Sequence, residues 1–174
     1  MDIKTCRLLA KYNQVANQKM NGVIRTLSSA QWEQEFTGYF KTIKQLCGHI
    51  YISDYSWMKR FDKFRDFQFS KGPFFDQTLN YGSHPFDDLA GYLSKREELD
   101  KKMVLFADEL AESELEMTIS FANMKEETVG KNVGGSILHL FNHQTHHRGM
   151  ISVYLDMMGF ENDFSGLLPL VEGK

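Results

Sequence analysis

Proline is scarce in this chain, and its scarcity limits the folds that the chain can adopt. The 174 residues include three prolines, at positions 73, 85 and 169, so long stretches contain none. Proline lacks a backbone N–H and breaks helices, and stretches without it therefore permit long helices. Within these stretches apolar residues recur at three- and four-residue steps, which is the period of an α-helix. The sequence predicts an all-α protein.

Four long segments show this helical period. Asp2 is a suitable N-cap for the first segment, and Gly159 is a suitable terminus for the last because glycine readily adopts the left-handed conformation. The predicted helices cover residues 3–27, 39–64, 87 or 88 to 111, and from between 132 and 136 to 159. Four amphipathic helices with one long crossover indicate a four-helix bundle. We expect residues 1–174 to form a single domain of this type.

The long crossover joins the second and third predicted helices. Residues 69–85 contain two of the prolines together with Phe74, Phe75, Tyr81 and His84. A loop of this length and aromatic content is typical of a lid or a pocket wall. His84 is expected to face solvent.

Shorter elements are predicted in the other connections. A helical turn is expected at 30–36, and residues 114–121 and 126–129 can form a small hairpin around 122–125 before the last helix. In the tail, residues 160–174, four apolar side chains are expected to lie against the bundle. They are Phe164, Leu167, Leu168 and Leu170.

Composition and charge narrow the class of protein. Hydrophobic residues make up 42% of the chain, which excludes a disordered protein, and the formal net charge is −3. Lysine and arginine form no dense block, so a nucleic-acid partner is not expected. The apolar runs are too short for a membrane span or a signal peptide. Cys6 and Cys47 indicate no disulfide framework and are interpreted as small core residues of a cytoplasmic protein.

Two charged runs lie within the third predicted helix, at residues 95–98 and 100–102. Charged residues on an amphipathic helix usually occupy the face opposite the core. Both runs are therefore interpreted as a solvated face.

Four of the six histidines crowd the fourth predicted helix. They are His139, His143, His146 and His147, within the stretch 138–151. Such a cluster indicates metal binding or acid–base chemistry, unless some of these histidines are simply tolerated on a polar face.

Spacing and direction select among these histidines. A helix turns about 100° per residue, so His143 and His147 lie one above the other, but His139/His143 and His143/His146 are also at helical spacing. Direction favours His143 and His147, because His147 aligns with the apolar residues of the same helix. His139 and His146 point further round and are assigned supporting or interface roles. Arg148, about half a turn from His143, is expected to meet solvent, a partner chain or the tail.

A pair of histidines does not complete a metal site. Catalytic zinc is held by three protein ligands and water, and the sequence contains neither CxxC nor HExxH, since position 144 is Gln144. His49, beside the apolar face of the second predicted helix, is the best candidate for the third ligand. A lone helical histidine of this kind is also typical of a core or boundary position. Three neutral imidazoles suit Zn, Ni, Fe or Co.

The sequence says less about which residues line the pocket around the candidate metal site. Four side chains are candidates for its lining: Tyr51, Ser53, Tyr81 and His84. The sequence identifies no general base among them.

These residues resemble a known family. The run N-H-Q-T-H-H-R-G at 142–149, following L-H-L-F at 138–141, looks like the N-H-x-x-H-H-R-G-Q signature of the DinB/YfiT-like proteins. His49, with Trp57 eight residues later, matches that family's pattern in its second helix. The resemblance spans nearly the whole chain in length and helix order. Met150 stands where the family often has glutamine, which leaves the histidines unaffected.

The resemblance implies a DinB-type four-helix bundle that is homodimeric and holds a divalent transition metal, Zn, Ni or Fe, at one end. Carried over by position, the metal ligands are His49, His143 and His147. The resemblance further implies a metal-dependent enzyme, similar to thiol-dependent S-transferases or to hydrolases, acting on a small-molecule thiol or electrophile. The alternative is a non-catalytic, stress-related metal- or ligand-binding protein. A purely structural bundle would bind no metal.

Overall fold

The computed structural model describes residues 1–123 and 125–171. Within these ranges it contains five α-helices, four of them long. They are α1 (Ile3–Ile24), α2 (Ser29–Trp32), α3 (Ile43–Asp62), α4 (Leu89–Glu109) and α5 (Val133–Met157). The four predicted long helices and the predicted short helical turn are all present.

The long helices pack as a bundle. α1 packs against both α4 and α5, and α3 packs against the same two helices, so α1 and α3 occupy opposite corners. The apolar faces meet in one core cluster to which each long helix contributes. The prediction of a four-helix bundle is confirmed. In the described part of the chain, no helix is both long enough and apolar enough to cross a membrane.

Polar residues start the long helices because their side chains satisfy backbone N–H groups that have no partner within the helix. Each N-cap side chain accepts a hydrogen bond from the backbone N–H three residues further on. The caps are Asp2, Thr42, Asp88 and Asn132. Just beyond α5, Gly159 has a φ of 81°, which suits glycine. The predicted cap Asp2 and terminus Gly159 are therefore confirmed.

α3 begins at Ile43, later than the predicted start at Tyr39. Thr42 caps the helix, which leaves the preceding residues free to turn away from its axis. The carbonyl of Phe40 accepts a hydrogen bond from the hydroxyl of Tyr154 in α5, at 2.7 Å. This bond ties the segment before α3 to α5.

A small antiparallel hairpin precedes α5. Its strands are β1 (Thr118–Ala122) and β2 (Thr128–Asn132). β1 begins later than the predicted 114–121, because the chain first forms a 3₁₀ helix at Glu112–Glu116. β2 also begins later than the predicted 126–129. Met124, in the predicted turn, lies outside the described residues.

The crossover between α3 and α4 covers part of the core. It contains a short 3₁₀ helix, Pro73–Phe75. Phe67 and Phe69 are buried against Phe106 of α4, with ring centroids 5.4 Å and 5.2 Å from the Phe106 ring. The crossover is thus an integral part of the packed structure.

The C-terminal tail contacts the bundle through most of its apolar residues. Phe164 is buried, and Leu167 and Leu170 pack against the core cluster. Leu168 is 81% exposed, so the prediction is wrong for that residue. Residues 172–174 lie outside the described part of the chain.

Two charged residues of α4 point into the bundle. Arg96 is 1% exposed, and its guanidinium lies 2.5 Å from Asp54 of α3 and 2.6 Å from Asp100. Burial raises the pKa of Asp54 to about 7, against the opposing charge of Arg96. The prediction that 95–98 and 100–102 form a solvated face is therefore wrong for Arg96 and Asp100. Their mutual pairing makes burial of the charges tolerable.

Arg148 is also buried, which contradicts the expectation that it meets solvent, a partner chain or the tail. It is 3% exposed, and its guanidinium donates hydrogen bonds to Asn13 and Asn17 of α1. The polar side chains of α1 supply acceptors that a spacing argument confined to α5 could not anticipate.

Both cysteines lie in the core, as predicted. Cys6 and Cys47 are buried free thiols. Burial raises the pKa of the Cys6 thiol to about 11 and that of Cys47 to about 12. Thiols held in this protonated form are poor nucleophiles and poor metal ligands.

Candidate metal centre

Three histidines meet between α3 and α5. His49 comes from α3, and His143 and His147 come from adjacent turns of α5. The Nε2 atom of His49 lies 3.0 Å from Nε2 of His143 and 3.2 Å from Nε2 of His147. One ring nitrogen from each histidine falls within 4.8 Å of the other two. The structure thus brings together the three histidines that the sequence favours.

These separations suit a single metal ion. Two imidazole nitrogens bound at about 2.05 Å to a tetrahedral zinc ion lie about 3.3 Å apart. Two nitrogens at right angles on an octahedral ion, with bonds of similar length, lie about 2.9 Å apart. The distances from His49 to its two partners, 3.0 Å and 3.2 Å, lie between these values. The donor set therefore fits one divalent transition metal ion.

The protonation state of the histidines also suits metal binding. Burial, followed by the charges of neighbouring imidazoles, lowers the pKa of His143 to about 3 and that of His147 to about 4. Burial lowers the pKa of His49 as well. The three rings are consequently uncharged at neutral pH, and their lone pairs are available to a metal without loss of a proton.

Packing contributes much to the orientation of the three imidazole rings. The Nδ1 atoms of His143 and His147 are buried and have no hydrogen-bond partner among the described residues. In many metal sites this nitrogen donates to a carboxylate or a carbonyl that fixes the ring. Here the ring of Phe40 lies 4.7 Å from that of His49 and 5.5 Å from that of His147, centroid to centroid. Phe40 thus packs against His49 of α3 and His147 of α5.

Buried hydrogen bonds fix the rotation of α5. Gln144 and Arg148 each follow a site histidine directly in the sequence, and both are buried. The side-chain amide of Gln144 donates to Asp54 in α3, and the guanidinium of Arg148 donates to Asn13 in α1. α5 could not rotate without breaking these bonds and leaving buried polar groups unpaired. The direction of its histidines is set accordingly.

A cavity of about 820 Å³ opens beside His49. It lies between the start of α3 and the crossover, and Tyr81 and His84 line it as predicted. The prediction is wrong for Tyr51 and Ser53, which are buried away from the cavity. The reason is helical spacing, since the face of α3 toward the cavity carries other positions. These are Lys44, Gln45, Gly48, His49 and Ile52.

The remaining α5 histidines border the three-histidine group without joining it. His139 is exposed, and its ring lies 5.5 Å from Trp57 and 6.2 Å from His143. His146 is exposed, with its ring 4.8 Å from that of His147. Their supporting role stays a prediction.

Sequence reasoning did not find all the residues that shape the site. The motif search uses Gln144 only to rule out HExxH, although its place between two site histidines is a usable signal. Asp54 carried a weaker signal, as a carboxylate on the same helix as His49. Phe40 had none, because its position depends on the turn before α3.

Fold and site together define a class of protein: a four-helix bundle with three converging histidines between two of its helices. The chain belongs to the DinB family, whose model matches residues 1–164. It is similar to Protein DinB of Bacillus subtilis (strain 168), with 26% identity over 154 residues that cover 87% of this chain and 85% of the relative.

A solved structure supports the fold. The chain resembles YfiT from Bacillus subtilis with a TM-score of 0.61 and 13% identity, covering 88% of this chain and 87% of YfiT. YfiT is described as a probable metal-dependent hydrolase with an unusual four-helix bundle topology. At this level of identity the similarity concerns the fold alone.

Proposed function

We propose that this protein binds one divalent transition metal ion through His49, His143 and His147, and that it is a metal-dependent enzyme. The observation that carries the proposal is the convergence of three Nε2 atoms, one of them from His49, which lines a cavity. Zn, Ni and Fe are all compatible with imidazole ligands.

The arrangement favours an open site over a closed one. Structural zinc is usually enclosed by four protein ligands, whereas catalytic zinc keeps a position for water or substrate. Within the described residues, the metal-ligating group that includes His49 has three members. His49 and His143 are only partly buried, and His49 lines the cavity. A small molecule could therefore approach the ion from the cavity side.

When bound, the metal would act as a Lewis acid that lowers the pKa of a water or a thiol and polarises an electrophile. The three histidines would hold it from one side, with Phe40 packed against two of them. We propose a reaction of the hydrolase type, as described for YfiT, or of the thiol-dependent S-transferase type that the family resemblance implies.

Metal analysis of the purified protein tests the ligand set. We expect one ion per chain in the wild type and loss of the ion in His49→Ala, His143→Ala and His147→Ala. The matched controls His139→Ala and His146→Ala remove exposed histidines of α5 and are expected to retain the metal. Full occupancy in all three ligand variants would contradict the proposal.

Activity assays separate an enzyme from a metal- or ligand-binding protein without catalysis. The metal-loaded protein would be screened for ester and amide hydrolysis, and for thiol transfer with small thiols and electrophiles. We expect an activity that is abolished by chelation of the metal and also by His143→Ala. Added metal should restore this activity in the chelated wild type but not in His143→Ala. Full metal occupancy with no turnover in either screen would favour the non-catalytic alternative.

We also propose that the protein is a single-domain homodimer of the cytoplasm. Three apolar residues on one side of α5, Leu138, Val153 and Met157, are exposed. Exposed apolar side chains on one helix support an interface between two copies of the chain. The buried free cysteines are compatible with a reducing compartment.

A further inference from the structure

The cavity beside His49 has a largely apolar wall. Its apolar side chains come from the segment before α3, from α3 and from the crossover: Tyr39, Phe40, Ile52, Tyr81, Pro85 and Phe86. Its volume of about 820 Å³ lies within the range of small-molecule pockets, about 300–1,000 Å³. The cavity is large enough for a molecule of several rings or a long alkyl group.

Two aromatic side chains at the cavity stand exposed. Tyr39 is 89% exposed and Tyr81 is 50% exposed. The Tyr39 ring meets Phe40 edge-on at 5.0 Å, and the Tyr81 ring lies 5.8 Å from that of His49. Exposed aromatic surface beside an apolar pocket is characteristic of a binding site, because a ligand that covers it removes apolar area from water.

The charged side chains of the lining largely neutralise one another. Lys44 and Glu33 form an ion pair at 2.7 Å. The N-terminus of α3 also borders the cavity, but Thr42 already accepts a hydrogen bond from the Gln45 N–H. Among the described lining residues, the remaining basic side chains are the imidazoles of His49 and His84.

We propose that this cavity binds an uncharged, mainly apolar small molecule, with an aromatic or alkyl body against the aromatic wall and a polar reactive group toward His49. The inference rests on the proposed function, because the polar group would be presented to the metal held by the three histidines. Phe40 connects the two parts, since it lines the cavity and contacts His49 and His147.

The described lining favours uncharged ligands over phosphorylated or other multiply charged ones. Phosphate groups are bound by arginine, lysine or free helix N-terminal amides in charge-assisted hydrogen bonds. Lys44 is paired with Glu33, and at the α3 terminus the Thr42 side chain already accepts a hydrogen bond from one amide, that of Gln45. An uncharged substrate avoids the cost of burying a charge without a partner.

Fluorescence titration with N-phenyl-1-naphthylamine, an uncharged aromatic probe, tests the class of ligand. Gly48 lines the cavity, and a Cβ atom added there would meet Phe86 at an ordinary 3.8 Å, so Gly48→Leu fills the cavity without a backbone clash. The matched control is Gly22→Leu in α1, where a Cβ has no neighbour within 4 Å among the described residues. We expect saturable binding in the wild type, about tenfold weaker in Gly48→Leu and unchanged in Gly22→Leu.

A second variant protects the test against misfolding of Gly48→Leu. Tyr39→Ala removes an exposed ring and is expected to weaken probe binding about threefold, with no loss of thermal stability. Equal probe affinity in the wild type and in both cavity variants would overturn the proposal. Displacement of the probe by ADP, with ADP bound more tightly than the probe, would also overturn it.

A pair of chelators tests whether the apolar body and the metal are used together. 2-Naphthohydroxamic acid joins an uncharged aromatic body to a chelating group, and acetohydroxamic acid carries the chelating group alone. With the Zn²⁺-loaded protein, we expect the naphthyl compound to bind about tenfold more tightly, and Gly48→Leu to remove this difference.

The outcomes distinguish the cavity proposal from the metal-site proposal. Equal binding of both hydroxamates to the loaded wild type would overturn the cavity proposal and leave the metal site in place. Binding of the naphthylamine probe without binding of either hydroxamate would overturn the metal site. In that case the cavity would still be supported as a site for apolar molecules.

Discussion

Gln144 of α5 donates a hydrogen bond to the carboxylate of Asp54 in α3, so the two helices that carry the three histidines are joined in the core. Both side chains are fully buried. The same carboxylate oxygen accepts a hydrogen bond from Arg96 of α4, at 2.5 Å. The spacing between the histidine-bearing helices is therefore linked to the rest of the bundle by groups that do not touch the histidine rings.

Replacement of Gln144 by leucine is expected to weaken metal binding by about 10- to 100-fold, the range typical of residues that orient metal ligands. The physical reason is that α5 loses its hydrogen bond to α3, so the histidines are held less firmly in register. Competition with a chromophoric chelator would measure the affinity. The absorption spectrum of the Co²⁺-loaded protein would report altered ligand geometry.

The control for this substitution is Asn142→Ala, which removes an exposed polar side chain on the other side of His143. It is expected to leave both affinity and spectrum unchanged. A Gln144→Leu protein that is less stable but has wild-type metal affinity and a wild-type Co²⁺ spectrum would show that the residue serves stability alone.

Arg148→Met is expected to destabilise the folded protein by about 1–3 kcal/mol, because it leaves buried acceptors on Asn13 and Asn17 without their donor. Urea denaturation of the metal-free protein would measure the change in the free energy of unfolding. Lys101→Met removes an exposed lysine paired with Glu97 and should change it by less than about 0.5 kcal/mol. Equal small effects of both substitutions would argue against a structural role for Arg148.

The metal-free protein is expected to lose stability as the pH falls below 6.5. The pKa values of His143 and His147 are lowered on folding from 6.5 to about 3 and about 4. Between pH 6.5 and these lowered pKa values, the unfolded chain binds protons that the folded chain does not, so acid favours unfolding. Thermal melts at a series of pH values would follow the loss.

The double variant His143→Ala/His147→Ala is the control for this pH dependence. Asp54 acts in the opposite direction, because its raised pKa contributes stability that is lost as the pH rises toward about 7. Only the difference between the wild type and the double variant isolates the histidines. If both proteins lose stability in parallel between pH 6.5 and 4, the proposed contribution of the two rings is wrong.

Sedimentation is expected to give twice the chain mass of 20.2 kDa for the wild type. Val153→Asp places a charge on the exposed apolar side of α5 and is expected to shift the protein to the monomer. Leu105→Asp, on the exposed side of α4, is the matched control and should leave the dimer intact. A wild-type monomer at all concentrations would exclude the dimer.

The long helices and the pair His143 and His147 could be predicted because both depend on local periodicity. His49 is a candidate from its place beside an apolar face, and the family resemblance completes the ligand set. Apolar residues at helical steps define α1 and α5, and four-residue spacing places His143 and His147 on one side of α5. The same periodicity places Arg96 on a solvated face and directs Arg148 toward solvent, a partner chain or the tail. Both predictions are wrong because the pattern of one helix does not show acceptors supplied by another.

Other features depend on contacts between distant parts of the chain. The position of Phe40 depends on a hydrogen bond from the hydroxyl of Tyr154 to its backbone carbonyl, a contact that the pattern of one helix does not show. The cavity forms where the crossover meets α3, so its wall depends on how an irregular segment packs. Tyr51 and Ser53 were wrongly assigned to that wall because the sequence alone did not show which face of α3 it would occupy.

The three histidines do not come together at the same stage of folding. His143 and His147 become neighbours as soon as one turn of α5 forms, whereas His49 is 94 residues from His143 along the chain. A chain with α5 formed but α3 undocked would offer two ligands, and a closed bundle would offer three. Metal uptake during refolding should therefore occur in a weak and then a tight step, and the tight step would report the moment at which the bundle closes.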